Sequence, residues 1–289
     1  MKIKMKHEND NDIPMPPEEL QKWVGPVTGS MFLRHGKVEK NKIIENCKNF
    51  SSTSAILDIG TGCGRTARHF CNALDAASGG KYYGFDVHAP SIEWCKENIS
   101  SKYSNFHFET VDVFNSMYNP GTAQGDFDVW ERADVNMGSE NKMTHENLVL
   151  PYENESIDIS FALSVFTHMT KEYVKKYLQE IYRVSKKGSY HDFTFFTTHT
   201  NMRDGWVDAI QPFHRPAAVE AIKSTVDGVD FWSPESERKL DEFSWVLIPR
   251  VPCAVIIYHK DYIGDLIKDV GFKILQAETG WQSRWTLKK

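Results

Sequence analysis

The sequence lacks the long apolar run that a membrane-spanning helix requires. Its longest apolar run, from Val251 to Tyr258, has eight residues and contains Pro252, whereas a span needs about 20 consecutive apolar residues. The charged N-terminal residues are not followed by an apolar stretch and a small-residue cleavage site, so the pattern of a secretory signal peptide is missing as well. We therefore expect a cytoplasmic protein without a membrane span.

An excess of basic charge and closely paired cysteines are also missing. The 289 residues include 34 Lys and Arg against 39 Asp and Glu, a formal net charge of −5, which disfavours binding to a nucleic-acid backbone. The five cysteines are widely spread, without the C-x-x-C spacing of zinc or redox sites. Acidic residues do not follow a calcium-loop pattern either. We expect no nucleic-acid partner and no metal ion, and we interpret the cysteines as buried thiols.

Short apolar runs alternate with helical patterns along most of the chain. The predicted strands are 54–59, 81–85, 106–113, 157–162, 189–197 and 251–258, and the predicted helices are 38–50, 65–77, 90–99, 171–185 and 260–270. Such alternation is typical of α/β proteins with a mostly parallel sheet. The last two apolar runs, 272–278 and 281–287, are separated by Thr279 and Gly280, which predicts an antiparallel hairpin.

Two segments differ in composition from this alternating pattern. The N-terminal residues are polar and rich in proline, so we expect an arm or cap at 1–37. Residues 203–250 interrupt the alternation and contain Trp206, Trp232 and Trp245 among prolines and charges. We expect 203–250 to be a lid-like insertion packed over the sheet edge, and the domain itself to comprise 38–202 and 251–289.

A glycine-rich segment follows the first predicted strand. The run from Asp58 to Gly64 has the spacing G-x-G-x-G, and glycine allows a backbone to approach a ligand closely. A nicotinamide fingerprint, G-x-G-x-x-G, would place its third glycine where Arg65 stands. Asp86 ends the second strand, 26 residues after Gly60, and can accept both hydroxyls of a ribose. The two motifs predict a site for an adenosine-containing ligand, and the alternative is a tight turn with Asp86 as a helix cap.

Six segments make the sequence similar to class I S-adenosylmethionine-dependent methyltransferases. They are AILDIGTGCGRTARHF, YYGFDVHAPSIEWC, ETVDVFN, PYENESIDISFALSVFTHM, the helix ending in KKG with the strand DFTFFTT, and the terminal segment ending in GWQSRWTLKK. The match covers about residues 54–199 and 255–289, and the words GFD, MYNPG and SVFTHM resemble a subgroup from bacterial glycan and secondary-metabolite biosynthesis. The resemblance implies a Rossmann-like, seven-stranded, mostly parallel sheet with helices on both faces and an antiparallel last strand, in agreement with the terminal hairpin.

The resemblance also implies a cofactor, S-adenosylmethionine, which becomes S-adenosylhomocysteine. The residues expected to hold it are Gly60, Gly62 and Gly64 at the methionyl part, Asp58 bracing the loop, Thr61 and Arg65 at the amino-acid end, Asp86 at the ribose, Val87 beside the adenine, Asp112 and Val113 at the adenine amino group and face, and Ser164 and Phe166 at the methyl-transfer corner.

Methyl transfer to a hydroxyl needs a group that removes a proton. His168, in SVFTHM after the fourth strand, is the first candidate because a neutral imidazole accepts protons near pH 7. A role in orienting the loop without proton transfer is the alternative. His199, past the fifth strand, is the second catalytic candidate, with a structural or substrate-binding role preferred. His191 lies inside a strand, and we interpret it as a core or edge histidine.

The absence of one motif narrows the class of methyl acceptor. Methylation of exocyclic base amines uses (N/D)-P-P-(Y/F/W) after the fourth strand, and this chain has Ala162-Leu163-Ser164-Val165 there. We expect transfer to a hydroxyl of a small molecule or glycan that contacts the 203–250 insertion. The alternatives are N-methylation of an amino sugar or small amine, a regulatory module that binds the cofactor without turnover, and a nicotinamide dehydrogenase, which Arg65 and the terminal hairpin disfavour. The oligomeric state stays open.

Overall fold

The computed structural model describes residues 12–25, 27–113, 143–198, 239–246, 253, 255–280 and 282–289. In these ranges the helices are α1 (Glu18–Trp23), α2 (Gly29–Asn46), α3 (Ala89–Cys95), α4 (Lys171–Val184) and α5 (Lys260–Val270). The strands are β1 (Ala55–Ile59), β2 (Lys81–Asp86), β3 (Phe106–Thr110), β4 (Ile157–Ala162), β5 (Ser185–Thr197), β6 (Lys239–Asp241), β7 (Ser244–Val246), β8 (Ile256–Tyr258), β9 (Lys273–Glu278) and β10 (Ser283–Lys288). None of the described helices has the length and apolar character needed to cross a membrane.

Seven of these strands form the main sheet, in the order β3-β2-β1-β4-β5-β10-β9. Neighbours among β1 to β5 are parallel, whereas β10 is antiparallel to both β5 and β9. The predicted parallel sheet with an antiparallel last strand is therefore confirmed. The strand count differs, because β8, β7 and β6 continue the sheet from the end of β5 and give ten strands rather than seven.

Helices cover both faces of the sheet, as the alternation predicted. Successive side chains of a strand point to opposite faces, so Ile56 of β1 joins one hydrophobic cluster while Leu57 and Ile59 join the other. Helices α4 and α5 pack on the cluster of Leu57, and helices α2 and α3 pack on the cluster of Ile56. In α4 the buried apolar side chains have helical spacing, namely Val174, Tyr177, Leu178, Ile181 and Val184.

The helix predicted at 65–77 is wrong. The described backbone has only a 3₁₀ turn at Ala67–His69, with Phe70 N–H donating to the Ala67 carbonyl at 2.9 Å. Ala67, Phe70, Cys71 and Leu74 are buried as the pattern required. Thr66 and Arg68, on the opposite side, are buried too. Tertiary contacts enclose the segment from both sides and override its local helical preference.

The N-terminal residues 12–25, which we call the strap, pack against this turn. Ile13 is 1 % exposed and belongs to the core. Arg68 donates through Nη2 to the carbonyls of Ile13 at 2.6 Å and Pro14 at 3.1 Å. Strap carbonyls thus accept hydrogen bonds from the buried guanidinium, and the strap lies beside the glycine-rich loop.

A buried ion-pair network attaches α2 to strands β5 and β10 of the sheet. Arg284 of β10 donates to both carboxylate oxygens of Asp192 on β5, at 2.7 to 3.0 Å, and to Glu39 of α2 at 2.6 Å. Asn46, at the end of α2, also donates to Asp192 at 3.2 Å. Two strands and one helix therefore share this cluster.

Candidate functional site

The glycine-rich loop leaves the carboxyl end of β1 with three residues in left-handed conformations. The φ angles are +73° at Gly60, +53° at Gly62 and +73° at Gly64, a region that strongly favours glycine. Packing adds a second requirement, because a Cβ at Gly60 would lie 2.4 Å from Val165 Cγ2 and one at Gly62 would lie 2.0 Å from Val24 Cγ1. The loop therefore contacts both the segment after β4 and the strap.

Asp86 stands at the end of β2, beside this loop. Its Oδ2 accepts the Gly62 N–H at 2.8 Å, and its Oδ1 accepts the His88 N–H at 2.9 Å. Burial raises the pKa of the Asp86 carboxyl above its ordinary value, and these backbone donors oppose that rise. Each carboxylate oxygen holds one of these backbone donors and retains capacity for a further donor, such as a ribose hydroxyl.

Asp58 lies beneath the loop, near the end of β1. It is 3 % exposed, and Tyr82 Oη donates to its Oδ2 at 2.6 Å. Burial raises the pKa of the Asp58 carboxyl to about 7. Thr61 is also buried, and its N–H donates to the Phe85 carbonyl at 3.0 Å. Asp58 and Thr61 therefore support the loop from inside the protein.

The segment after β3 lies next to Asp86. Val111 N–H donates to the Asp86 carbonyl at 3.1 Å, which brings the following residues alongside the end of β2. Val113 is buried, and Val87 packs against the same hydrophobic cluster. The Asp112 carbonyl accepts the Met143 N–H at 3.0 Å. The structure thus brings Asp86, Val87, Asp112 and Val113 to the carboxyl ends of β2 and β3, where open α/β sheets bind ligands.

Ser164 marks the corner after β4. Its φ is +58°, a left-handed conformation that a non-glycine residue adopts at a free-energy cost of roughly 1 to 3 kcal/mol. The Ser164 N–H donates to Thr194 Oγ1 at 2.8 Å, and its hydroxyl lies 2.8 Å from Nε2 of Gln282. Phe166 is fully buried and stacks on Phe195 at 5.1 Å between ring centroids, so it supports the corner from beneath.

His168 follows on a 3₁₀ turn, Phe166–His168. Its Nδ1 lies 3.1 Å from the carbonyl oxygen of Cys253. A carbonyl oxygen only accepts hydrogen bonds, so Nδ1 carries the proton of this hydrogen bond and Nε2 of the neutral ring carries a lone pair. Tyr258 Oη donates to the Met169 carbonyl and connects the same turn to β8. The Cys253 carbonyl and Tyr258 therefore hold this turn in place, and the Cys253 carbonyl sets the tautomer of the neutral His168 ring.

Comparison with known families identifies the family of this chain. A family described as "Methyltransferase domain" matches residues 50–204. The chain belongs to this methyltransferase family. The matched residues include the glycine-rich loop, Asp86 and the turn with His168.

Solved structures similar to this methyltransferase share its fold. The PH0226 protein of Pyrococcus horikoshii OT3 aligns with a TM-score of 0.52 and 13% identity, over 95% of this chain and 99% of that one. The (4+2)-cyclase SpnF aligns with a TM-score of 0.51 and 14% identity, over 96% and 98% of the two chains. A SAM-dependent methyltransferase of Aquifex aeolicus has a TM-score of 0.48 and 13% identity, over 95% and 98%. The likeness to the first two, whose TM-scores exceed 0.5, shows the fold alone at such identities.

S-adenosylmethionine is the cofactor of this methyltransferase. The residues fit it, because the loops after β1, β2, β3 and β4 meet at one edge of the sheet. There Asp86 keeps acceptor capacity for ribose hydroxyls beside the apolar side chains of Val87 and Val113. These are the groups that a ribose and an adenine ring require.

Other predicted site residues have different surroundings. Arg65 donates through Nη1 to the Val24 carbonyl at 2.8 Å, so its guanidinium binds the strap. His199 lies outside the described residues. His191 is confirmed as a core histidine, since it is fully buried with Nδ1 2.7 Å from Ser160 Oγ and Nε2 2.9 Å from Ser189 Oγ. Burial lowers the pKa of His191 to about 3.

Several residues near the methyltransferase site belong to none of the motifs found in the sequence. Gln282 reaches Ser164 from the hairpin between β9 and β10, and Cys253 contributes a backbone carbonyl. Trp23 and Val24 come from the polar N-terminal arm. Apolar residues such as Ile13, Trp23 and Val24 in a mostly polar arm were the sequence signal for the strap.

Proposed function

We propose that the methyltransferase transfers the methyl group to a hydroxyl of a small molecule or glycan, with His168 as the base. The observation that carries the proposal is the hydrogen bond between His168 Nδ1 and the Cys253 carbonyl, at 3.1 Å. It leaves Nε2 as the proton acceptor of the neutral ring. A base in this tautomer suits an acceptor whose proton must be removed during transfer.

The bound cofactor supplies a methyl group on a sulfonium, whose carbon–sulfur bond breaks as the acceptor oxygen attacks, leaving S-adenosylhomocysteine. His168 Nε2 takes the hydroxyl proton. Ser164, exposed at the end of β4, and Gln282 offer polar contacts at the same corner. Alignment of the acceptor behind the methyl group accounts for most of the remaining rate enhancement.

The cofactor side of the proposal assigns one task to each group of residues. Asp86 binds the ribose hydroxyls, Val87, Asp112 and Val113 flank the adenine, and the glycine-rich loop admits the methionyl part. Asp58 and Thr61 brace that loop. The hydrogen bonds of Asp86 to Gly62 and His88 support this assignment, because they hold its carboxylate at the end of β2 before any ligand binds.

The acceptor side is assigned to the 203–250 insertion. Its described end, β6 and β7 with the turn between them, contacts the first residue of α4, three residues after His168. Lys171 of α4 pairs with Asp241 at 3.2 Å, and the Phe243 ring stacks on Tyr262 at 4.4 Å between centroids. These contacts support an insertion that reaches the acceptor at the corner of β4.

The test uses labelled S-adenosylmethionine with a panel of phenols, sugar alcohols, amino sugars and small amines, followed by product analysis. With a hydroxyl acceptor, His168→Ala is expected to lower kcat by about 10² to 10⁴, the usual contribution of a general base. Its affinity for S-adenosylhomocysteine should match that of the wild type. His107→Ala removes an exposed histidine of β3 and serves as the control.

Each result identifies one function. Equal rates in wild type and His168→Ala would end the assignment of His168 as base. Methylated amine products with little effect of His168→Ala would show N-methylation, in which the histidine only orients the turn. Micromolar binding of S-adenosylhomocysteine without turnover of any acceptor would support a regulatory module.

A further inference from the structure

The strap supplies the surface against which the glycine-rich loop packs at Gly62. Val24 Cγ1 occupies the space beside the Gly62 Cα, 2.0 Å from where a Cβ would stand. The Gly62 N–H in turn donates to Oδ2 of Asp86 at 2.8 Å. Val24 therefore lies behind one of the two backbone donors that hold the Asp86 carboxylate.

The neighbouring strap residue lies behind the second donor. Trp23 stacks on the imidazole of His88, with ring centroids 4.2 Å apart and planes at 22°. The His88 N–H donates to Oδ1 of Asp86 at 2.9 Å. The His88 ring is also fixed by Ser91, whose Oγ lies 2.7 Å from Nδ1. Each oxygen of the Asp86 carboxylate is thus held by a residue that the strap covers.

Side chains of the loop segment anchor the strap in this position. Cys63 Sγ donates to the Leu20 carbonyl at 3.3 Å, and Arg65 Nη1 donates to the Val24 carbonyl at 2.8 Å. Arg68 binds the carbonyls of Ile13 and Pro14. Three separate points of the strap are therefore attached to the same short stretch after Gly62. Several contacts together hold the strap over Gly62 and His88.

We propose that Trp23 and Val24 are positioning residues for the cofactor, which fix the orientation of the Asp86 carboxylate by packing on Gly62 and His88. The inference rests on the proposed function, in which Asp86 binds the ribose hydroxyls. Neither side chain touches the reacting atoms. They act through Asp86, because the two donors that hold its oxygens have little freedom to move while the strap is in place.

The experiment is a double-mutant cycle on binding of S-adenosylhomocysteine, measured by calorimetric titration of the full chain. The variants are Trp23→Ala, Asp86→Asn and the two combined. Trp23→Ala alone is expected to raise Kd about tenfold, which corresponds to about 1.4 kcal/mol. In the Asp86→Asn background the same change should raise Kd less than about twofold, because residues that act through a shared partner are not additive.

Matched variants separate positioning from general loss of packing. Tyr182→Ala removes a half-buried aromatic side chain of α4 that packs on Phe272, away from the strap, and is expected to leave Kd within about twofold of the wild type. Trp23→Phe keeps an aromatic ring over His88 and should restore most of the affinity. If Trp23→Ala does not fold, Trp23→Leu keeps an apolar side chain without a flat ring and should show the same loss of affinity.

The outcomes distinguish the inference from the function on which it rests. A wild-type chain that fails to bind S-adenosylhomocysteine would overturn both. Wild-type binding with an unchanged Kd in Trp23→Ala would overturn the positioning role alone. A full tenfold effect of Trp23→Ala in the Asp86→Asn background would also overturn it, since the indole would then act independently of Asp86.

Discussion

At the scale of single residues, Gly62 combines two constraints that can be separated by experiment. Alanine there must adopt a φ of +53°, and its Cβ would overlap Val24 Cγ1 at 2.0 Å. Gly79→Ala is a matched control, because Gly79 has a φ of +91° and no atom within 4 Å of its Cβ position. Gly62→Ala should therefore lose about 1 to 3 kcal/mol more unfolding free energy than Gly79→Ala.

The measurement is denaturant unfolding of both variants, together with binding of S-adenosylhomocysteine. Since the overlap is relieved when the strap moves, Gly62→Ala is also expected to weaken binding, whereas Gly79→Ala should bind normally. Equal losses of stability and normal binding in both variants would contradict this interpretation of Gly62.

The buried carboxyl of Asp58 predicts a pH dependence of stability. Burial raises its pKa in the folded state to about 7, whereas an unfolded chain has a value of about 3.9. The protonated carboxyl therefore contributes stability that is fully present below about pH 4 and is lost as the pH rises through about 7. Relative to Asp58→Asn, the wild type should lose unfolding free energy between about pH 4 and pH 7.

Unfolding curves of wild type and Asp58→Asn at several pH values in this range provide the test. The comparison at each pH cancels the contributions of the other titrating groups, which both chains share. A constant difference between the two chains would show that Asp58 titrates at its ordinary pKa or not at all in this range.

The residues predicted from the sequence are those whose role depends on neighbours in the chain. The glycine spacing and the position of Asp86 at a strand end are local, and the structure places both at the same sheet edge. The contacts of Val24 with Gly62 and of Cys253 with His168 join residues far apart in sequence. The contact of Val24 with Gly62 is packing, and the contact of Cys253 with His168 uses a backbone carbonyl. Neither contact leaves a residue pattern that a single sequence could show.

At the scale of helices and strands, the ion-pair network of β5, β10 and α2 has a measurable effect. The carboxylate of Asp192 is fully buried, and the side chain of Arg284 is 9% exposed. Asp192→Ala would leave a buried guanidinium without its main partner, which typically costs about 3 to 5 kcal/mol. Asp265→Ala breaks an exposed pair with Lys268 on α5 and should change stability by less than about 1 kcal/mol.

Thermal and urea unfolding of the two variants would measure this difference. Similar stability losses in both variants would mean that the existing pair with Glu39 of α2 is enough to hold Arg284. A large loss confined to Asp192→Ala would show that this network fixes α2 to the sheet.

Helices were predictable where one face alone is buried. α5 occupies the predicted residues, Lys260–Val270, and ends at Gly271 with a φ of +115°. The segment 65–77 has the same apolar spacing but is buried on two sides, by the sheet and by the strap. Apolar periodicity reports burial, and the choice between an α-helix and a tighter turn here depends on contacts with residues about 50 positions away.

At the scale of the whole molecule, the fold supplies the cofactor site but leaves the reaction to local chemistry. SpnF, which shares the fold with a TM-score of 0.51, is described as a cyclase. One architecture therefore hosts different reactions, and activity has to be argued from the residues of the site. For this chain the residues that we propose for this role are His168 and the groups around Ser164.

β5 is paired along its length with different neighbours. Its central residues pair with β10, while Phe196 and Thr197 at its end pair with Ile257 and Tyr258 of β8. Residues 198–255 thus connect two adjacent parallel strands, which lie about 4.8 Å from each other. Each doubling in length of a segment with fixed ends adds only about 0.6 kcal/mol of closure entropy. Under the proposed function, a change in the length or sequence of this stretch would alter the choice of acceptor and leave the residues that bind the methyl donor intact.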